Sequence, residues 1–287
     1  LKRRSEHDFY YIGHQDSCPN RSSEVTLQGS RGEFLLSDCF WTASLRPAPD
    51  RTSPMKTTFL AFLLLASISN CLAGPALEAV NFALGARGPF LPMAEAAKRL
   101  GWRPRLDEEK GTLTLNKKTF STEKMRSFVD GRILISVADL TNAGARVRGG
   151  EGDNPLQISF VGRSFKIIQA AKRAEINLAE QRLRAWEGSR LVLESRISSG
   201  RGRSTPCGEF EAGPYKARKH YSSRYNNAYM PFSVQVTGNI FIHGFSSVPQ
   251  YPASAGCIRL PYLTDGNPAQ FFYEWIDRGT PIVIVKE

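Results

Sequence analysis

The chain has 287 residues and a formal net charge of +11, with 38 Lys and Arg against 27 Asp and Glu. That length can hold two ordinary domains, each with its own core. The charge favours acidic partners, namely nucleic acid, anionic envelope polymers or a membrane surface. The basic residues are scattered, and no helix-turn-helix, zinc-finger spacing or RNA-binding aromatic signature accompanies them. Nucleic acid is therefore disfavoured, which leaves a solvated basic surface or attraction to a negatively charged wall.

Residues 1–54 begin at Leu1, lack periodicity and mix Arg, Ser and isolated aromatics. They read as a leader without a fold of its own, either a gene-model extension upstream of Met55 or a disordered segment. Residues 55–73 read as a secretory signal. Lys56 follows Met55, Phe59 to Ala66 form a short apolar run, and small residues near Cys71-Leu72-Ala73 suit cleavage after Ala73. The run is too short to span a membrane comfortably. Acylation of Cys71 is the lipoprotein alternative, with Asn70 a poor residue before it. The expected product is exported to a periplasm or cell envelope and is not an integral membrane protein once processed. Cys18, Cys39 and Cys71 then drop out, leaving Cys207 and Cys257. A disulfide between them suits an exported chain. It would block Cys257, so two free thiols, or an oxidisable pair at most, is the expectation.

Residues 75–168 contain a repeat offset by 43 residues: Gly88, Leu91, Gly101, Arg103 and Leu113 recur as Gly131, Leu134, Gly144, Arg146 and Leu156. Each copy reads as a short apolar strand, a helix, a glycine stop and another strand. The first helix runs Ala94–Leu100 after Pro92, and the second runs Val137–Ala143 with Ser136 as its cap. Thr112–Leu115 and Leu156–Phe160 are the closing strands. The pattern resembles the copper amine oxidase N-terminal-like module, which implies a small α+β stalk or wall-binding attachment. No His/Cys cluster here would ligate copper.

From Glu175 the texture changes to strands and turns. Ile176–Trp186 reads as a hairpin, Glu187-Gly188-Ser189 as the next turn and Leu191-Val192-Leu193 as the next strand. Residues 198–210 are a turn-rich link. Tyr215–Phe232 is a long polar segment suited to a lid, the alternative being a mobile surface loop whose tyrosines cover the sheet. Pro268–Asp277 is the helix candidate, and Pro281–Val285 reads as a closing strand.

The most informative stretch is Ile240-Phe241-Ile242-His243-Gly244, followed after a short loop by Ser254-Ala255-Gly256-Cys257-Ile258-Arg259-Leu260. An apolar run delivers His243 at its end, and a glycine-bearing turn delivers Cys257 ahead of another apolar run. A thiol needs a base, and histidine is the usual one. Cys257 is the candidate nucleophile and His243 the proton acceptor and donor. Amides around Ala255, Gly256 and Cys257 are oxyanion candidates, and Gly244 belongs to the same positioning set. Ser254 either orients His243, binds substrate or only shapes the loop, and a backbone carbonyl could orient His243 instead. Arg259 either grips a carboxylate or braces the loop.

These two blocks resemble the signature of the L,D-transpeptidase catalytic domain (the YkuD type), in which Ala255 replaces the usual histidine. The opening strands and Thr205-Pro206-Cys207-Gly208-Glu209-Phe210 resemble the same family, extending the likeness over residues 174–287. The resemblance implies a mostly β sandwich with one short helix, requiring no cofactor and no metal. It also implies a cysteine thioester on peptidoglycan tetrapeptide stems, release of D-alanine, transfer to an acceptor amine, and carbapenem sensitivity. A murein peptidase or amidase of the same fold and a weakly active wall-binding module are the rival readings.

Overall fold

A computed structural model describes residues 74–85, 88–150 and 155–286; the leader, the signal-like segment and Cys18, Cys39 and Cys71 lie outside the described residues. After β1 (Gly74–Glu78), the first repeat copy runs through β2 (Phe90–Pro92), α1 (Met93–Leu100), β3 (Arg105–Asp107), β4 (Thr112–Leu115) and β5 (Lys118–Ser121). A two-residue strand, β6 (Arg126–Ser127), joins it to the second copy. That copy contains β7 (Ile133–Ser136), α2 (Val137–Asn142), β8 (Arg146–Arg148), β9 (Gln157–Phe160) and β10 (Arg163–Ile168). Both helices lie within a residue of expectation. Ser136 caps α2, its Oγ accepting from the Asp139 N–H at 3.0 Å. Gly101 closes α1 in the left-handed conformation, with φ 73°.

Each copy has two strands more than the sequence indicated: β3 and β8 precede the closing strands, and β5 and β10 form hairpins with β4 and β9. Their two-residue turns, Asn116-Lys117 and Val161-Gly162, have positive φ at both positions. Val161 at φ 39° is a β-branched residue where turn chemistry calls for Asn, Asp or Gly, which hides the second hairpin from sequence rules. The copies join through β2 and β7, which pair antiparallel with Leu91 opposite Ile135. Leu91, Leu100, Leu113, Ile135, Leu140, Ile158 and Phe165 form the core of this segment.

The second half begins with β11 (Lys172–Asn177), β12 (Arg182–Glu187) and β13 (Arg190–Arg196), confirming the expected hairpin and its neighbour. It continues through β14 (Gly208–Glu211), β15 (Lys216–Ala217), β16 (Tyr221–Ser222), β17 (Ala228–Tyr229), β18 (Ser233–Thr237), β19 (Ile240–Gly244) and β20 (Ile258–Leu260). It ends with α3 (Pro268–Trp275) and β21 (Pro281–Val285). A five-stranded sheet, β13-β12-β11-β21-β14, and a four-stranded sheet, β15-β18-β19-β20, make the expected mostly β sandwich. Alternation fills the space between them with Ile176, Leu183, Ala185, Ile282 and Ile284 from one sheet, and Val234, Ile242, Ile258 and Leu260 from the other. Each such Val, Leu or Ile side chain contributes about 1.5–3 kcal/mol on burial, well above the ~0–1 kcal/mol of an exposed ion pair.

Helix α3 lies against this core through Phe272 and Trp275. Asn267 caps its start, accepting from the Gln270 N–H at 3.0 Å. It stops at Trp275, short of Asp277, because Ile276 turns to extended backbone. Two lysines serve the freed carbonyls: Lys172 Nζ donates to Trp275 O at 2.6 Å, and Lys216 Nζ donates to Ile276 O.

The repeat segment is seated on the sandwich by apolar contact. Val80, Phe90, Phe128 and Leu134 share one cluster with the sandwich core, and Phe82 meets Phe90 and Phe271 edge-on. Glu187, fully buried on the inward face of β12, fixes this seat. It accepts from Asn81 N and Nδ2 and from Trp275 Nε1, the last at 2.9 Å. Removing that acceptor leaves buried donors unpaired, at about 1–3 kcal/mol each. Glu187→Leu should lower unfolding stability by roughly 2–4 kcal/mol in denaturant titrations. A change within about 0.5 kcal/mol, the range of a neutral surface substitution, would refute the role.

Candidate active site

Strand β19 runs outward from a turn at Gly238, and β20 lies beside it in parallel, with Ile242 opposite Ile258 and His243 opposite Arg259. Paired residues share a face, and successive residues alternate. Ile242 and Ile258 therefore enter the core, while His243 and Arg259 project to the other side. Cys257, one step before Ile258, falls on the face of His243 and Phe241. Strand register and alternation thus put Cys257 and His243 on the same side of the sheet.

His243 is 4% exposed, and its Nδ1 lies 2.8 Å from the Gly244 carbonyl. A carbonyl only accepts, so Nδ1 carries the proton and Nε2 keeps its lone pair. Burial pushes this imidazole down to about 4, the Gly244 carbonyl working against that and the Arg259 and His220 charges adding to it. Burial likewise pushes the Cys257 thiol up, opposed by the Phe241 amide and the Arg259 charge. The thiol donates a weak hydrogen bond to Asn239 O at 3.6 Å. Both groups are therefore uncharged at neutral pH, a thiol and an imidazole on one face of the sheet rather than an ion pair.

The loop before Cys257 is held from inside. Ser254 Oγ donates to Cys257 O at 2.5 Å and accepts from Gly256 N–H at 3.1 Å. Ser254 thus shapes the turn, and the Gly244 carbonyl orients His243. Gly256 sits at φ 138°, and an added Cβ would lie 2.9 Å from Ile240 Cδ1, so the position requires glycine. Its N–H is already engaged, which leaves the amides of Ala255 and Cys257 as oxyanion candidates. Gly244 donates to Pro231 O at 2.7 Å, and a Cβ there would meet Tyr262 at 2.8 Å. It serves close packing and not oxyanion binding. Ala255 is exposed at the rim. The Arg259 guanidinium lies 4.0 Å from the centre of the Phe245 ring, half-buried beside the thiol and near Arg201.

Three neighbours escaped sequence reasoning. Thr205 Oγ1 donates to Gly256 O at 2.7 Å and accepts from Gly200 N at 2.8 Å, tying the residue 200–205 loop to the cysteine loop. A Cβ on Gly200 would lie 2.8 Å from Gly256 Cα, so two glycines let the backbones touch. Gln181 anchors the same loop, accepting from Ser199 N at 2.9 Å. The Thr-Pro stretch and the glycines were the only signals available.

The expected lid is ordered rather than a plain loop. Strands β16 and β17 pair, and Tyr221 and Tyr229 pack with ring centres 5.1 Å apart. Met230 is buried with Phe241 and Cys257. His220 stacks on Phe241 at 5.2 Å and meets the Tyr215 hydroxyl through Nδ1 at 2.9 Å. The segment therefore roofs the thiol. Cys257 is a free thiol, whereas Cys207 is disulfide-bonded, so the expectation of two free thiols holds for Cys257 alone.

The depressed His243 value has a pH consequence. Its neutral form is favoured by the fold, so that stability is complete above the unfolded value of about 6.5 and is lost as pH falls toward 4. The loss amounts to roughly 3 kcal/mol. Denaturant titrations of wild type and His243→Gln between pH 7 and 4 should diverge in slope, the variant being flatter. Identical acid dependence would contradict the assignment.

No curated protein matches the chain. Among solved structures, an L,D-transpeptidase (residues 123–326) from Xylanimonas cellulosilytica DSM 15894 is 28% identical with TM-score 0.36, covering 41% of this chain and 61% of that one. An L,D-transpeptidase from Stackebrandtia nassauensis is 18% identical with TM-score 0.37, covering 42% and 58%. An L,D-transpeptidase from Mycobacterium tuberculosis H37Rv is 14% identical with TM-score 0.37, covering 76% and 96%. The chain spans about three fifths of the length of the first two. Residues 171–284, which hold the sandwich strands, His243 and Cys257, match the family of the YkuD L,D-transpeptidase catalytic domain.

Proposed function

We propose that the protein is an exported peptidoglycan L,D-transpeptidase that works through a Cys257 thioester. The observation that carries the reading is the shared face of His243 and Cys257, with Nδ1 spent on Gly244 O and Nε2 open. Cys257 Sγ attacks the carbonyl carbon of the third residue of a donor tetrapeptide stem as Nε2 takes the thiol proton. Charge on the carbonyl oxygen is met by the amides of Ala255 and Cys257. The carbon–nitrogen bond breaks, the imidazolium returns its proton to the leaving D-alanine amine, and a thioester remains. An acceptor amine then attacks the thioester, gives its proton to His243, and frees the thiol. The sequence of steps needs no metal or cofactor, since the thioester keeps the acyl group activated.

The neutral resting pair makes proton transfer accompany attack. Charge separation inside a dry site is costly until substrate supplies the oxyanion to be stabilised. Arg259, close enough to sense the thiol, and Arg201 beside it are the donors for a substrate carboxylate. The repeat segment, read as the copper amine oxidase N-terminal-like attachment, holds the sandwich at the wall. The signal-like residues 55–73 account for its export.

Wild type, Cys257→Ala and His243→Gln should be incubated with disaccharide-tetrapeptide muropeptides and the products resolved by mass spectrometry. Cross-linked dimers and free D-alanine are expected from wild type, with turnover falling on the order of 10³-fold or more in either variant. Shortened monomers without dimers would indicate water as acceptor. Full turnover by Cys257→Ala would overturn the mechanism.

A further inference from the structure

We propose that the outer face of the sheet β1-β10-β9-β8 is a second binding site, for the carboxylate ends of peptidoglycan stem peptides. The proposal rests on the wall reading above, and it adds a site remote in sequence from Cys257. The sheet register sets up the face. Arg146, Ser159 and Ser164 stand opposite one another across three strands, and Arg148, Gln157 and Lys166 form the next row. Paired residues in antiparallel strands share a face. Val147, between the two arginines, packs against the core of the segment, which turns Arg146 and Arg148 outward together.

A cavity of about 530 Å³ opens here, lined by both arginines, Arg163, Gln157, Ser159 and Ser164. Arg163 comes from the β9–β10 turn and lies across the end of α1, where an added Cβ on Gly101 would be 2.8 Å from its Nε. Its guanidinium therefore stands on the α1 side of the sheet, at the edge of the face that carries Arg146 and Arg148. Elsewhere arginines find carboxylates: Arg126 with Glu274, Arg184 with Glu194, and Arg190 with Glu95. Among the described residues, no acidic side chain pairs with Arg146, Arg148 or Arg163, and none lines the cavity. Arg146, Arg148 and Lys166 put three like charges on this face, and an entering anion relieves their repulsion.

The shape selects the anion. A bilayer or a nucleic acid duplex is far wider than this cavity and would meet only its rim. A peptide end can enter it. Guanidinium forks match a carboxylate bidentately, while Ser159, Ser164 and Gln157 offer partners for the adjoining amides. The site would hold one stem while Cys257 works on another.

The test uses the full chain and purified sacculi at fixed ionic strength. Sedimentation compares wild type with Arg146→Gln/Arg148→Gln and Arg146→Lys/Arg148→Lys, melting curves checking that each is folded. Turnover of a soluble disaccharide-tetrapeptide is read in parallel. The Gln variant should bind sacculi about tenfold or more weakly, the size expected for lost charge-assisted hydrogen bonds. The Lys variant should fall between, and soluble turnover should stay unchanged. A free tetrapeptide acid should displace wild type, and its C-terminal amide should not. Undiminished retention of the Gln variant overturns the site, as does displacement by amide equal to that by acid. Displacement by phosphatidylglycerol vesicles as effective as that by the acid peptide also overturns it. Absence of wild-type turnover would count against the transpeptidase reading alone, since retention is scored separately.

Discussion

The parallel pairing of β19 with β20 is the constraint on which the site depends. A one-residue slip would turn Cys257 toward the core and Ile258 toward the roof, because side chains alternate with period two. Ile258 and Leu260, both fully buried on β20, penalise that slip by the cost of exposing two large apolar groups. The same residues that build the sandwich core thus fix which face carries the chemistry. The loop between the strands adds the second condition. Ser254, Gly256, Thr205 and Gly200 clamp it so tightly that the cysteine arrives at one place only.

Burial gives the resting site its character. A free imidazole already titrates below a free thiol, and here burial moves them further apart, the first downward and the second upward. The fold keeps both uncharged under the Met230 and Phe241 roof. Reactivity is then reserved for a bound substrate whose developing charge can be matched, while the idle thiol is shielded. Arg259 tempers this by placing a fixed positive charge beside the sulfur.

Much of this was legible in the sequence because it is local. His243 and Cys257 sit at strand ends flanked by apolar runs and glycines, and strand alternation survives in short windows. The repeat helices were legible from Pro92, Ser136 and the glycine stops. What escaped is non-local or breaks a local rule. Thr205 reaches Gly256 across 51 positions, and Glu187 reaches Asn81 across 106. A fully buried glutamate is indistinguishable by type from a surface one. Val161 occupies a left-handed turn that its side chain disfavours, so the β9/β10 hairpin left no sequence signal. Ser254 had several open roles, and only its hydrogen bonds decide that it shapes the loop.

The central claim is that Cys257 becomes acylated by a stem peptide. The most direct measurement is rapid acid quenching of wild type with a disaccharide-tetrapeptide, followed by proteolysis and mass spectrometry of the fragment spanning Cys257. The account predicts a hydroxylamine-labile adduct on Cys257 whose mass is the donor less D-alanine. It also predicts that the adduct accumulates in wild type and is absent from His243→Gln. Product formation with no adduct on Cys257, or an adduct on another residue, would contradict it.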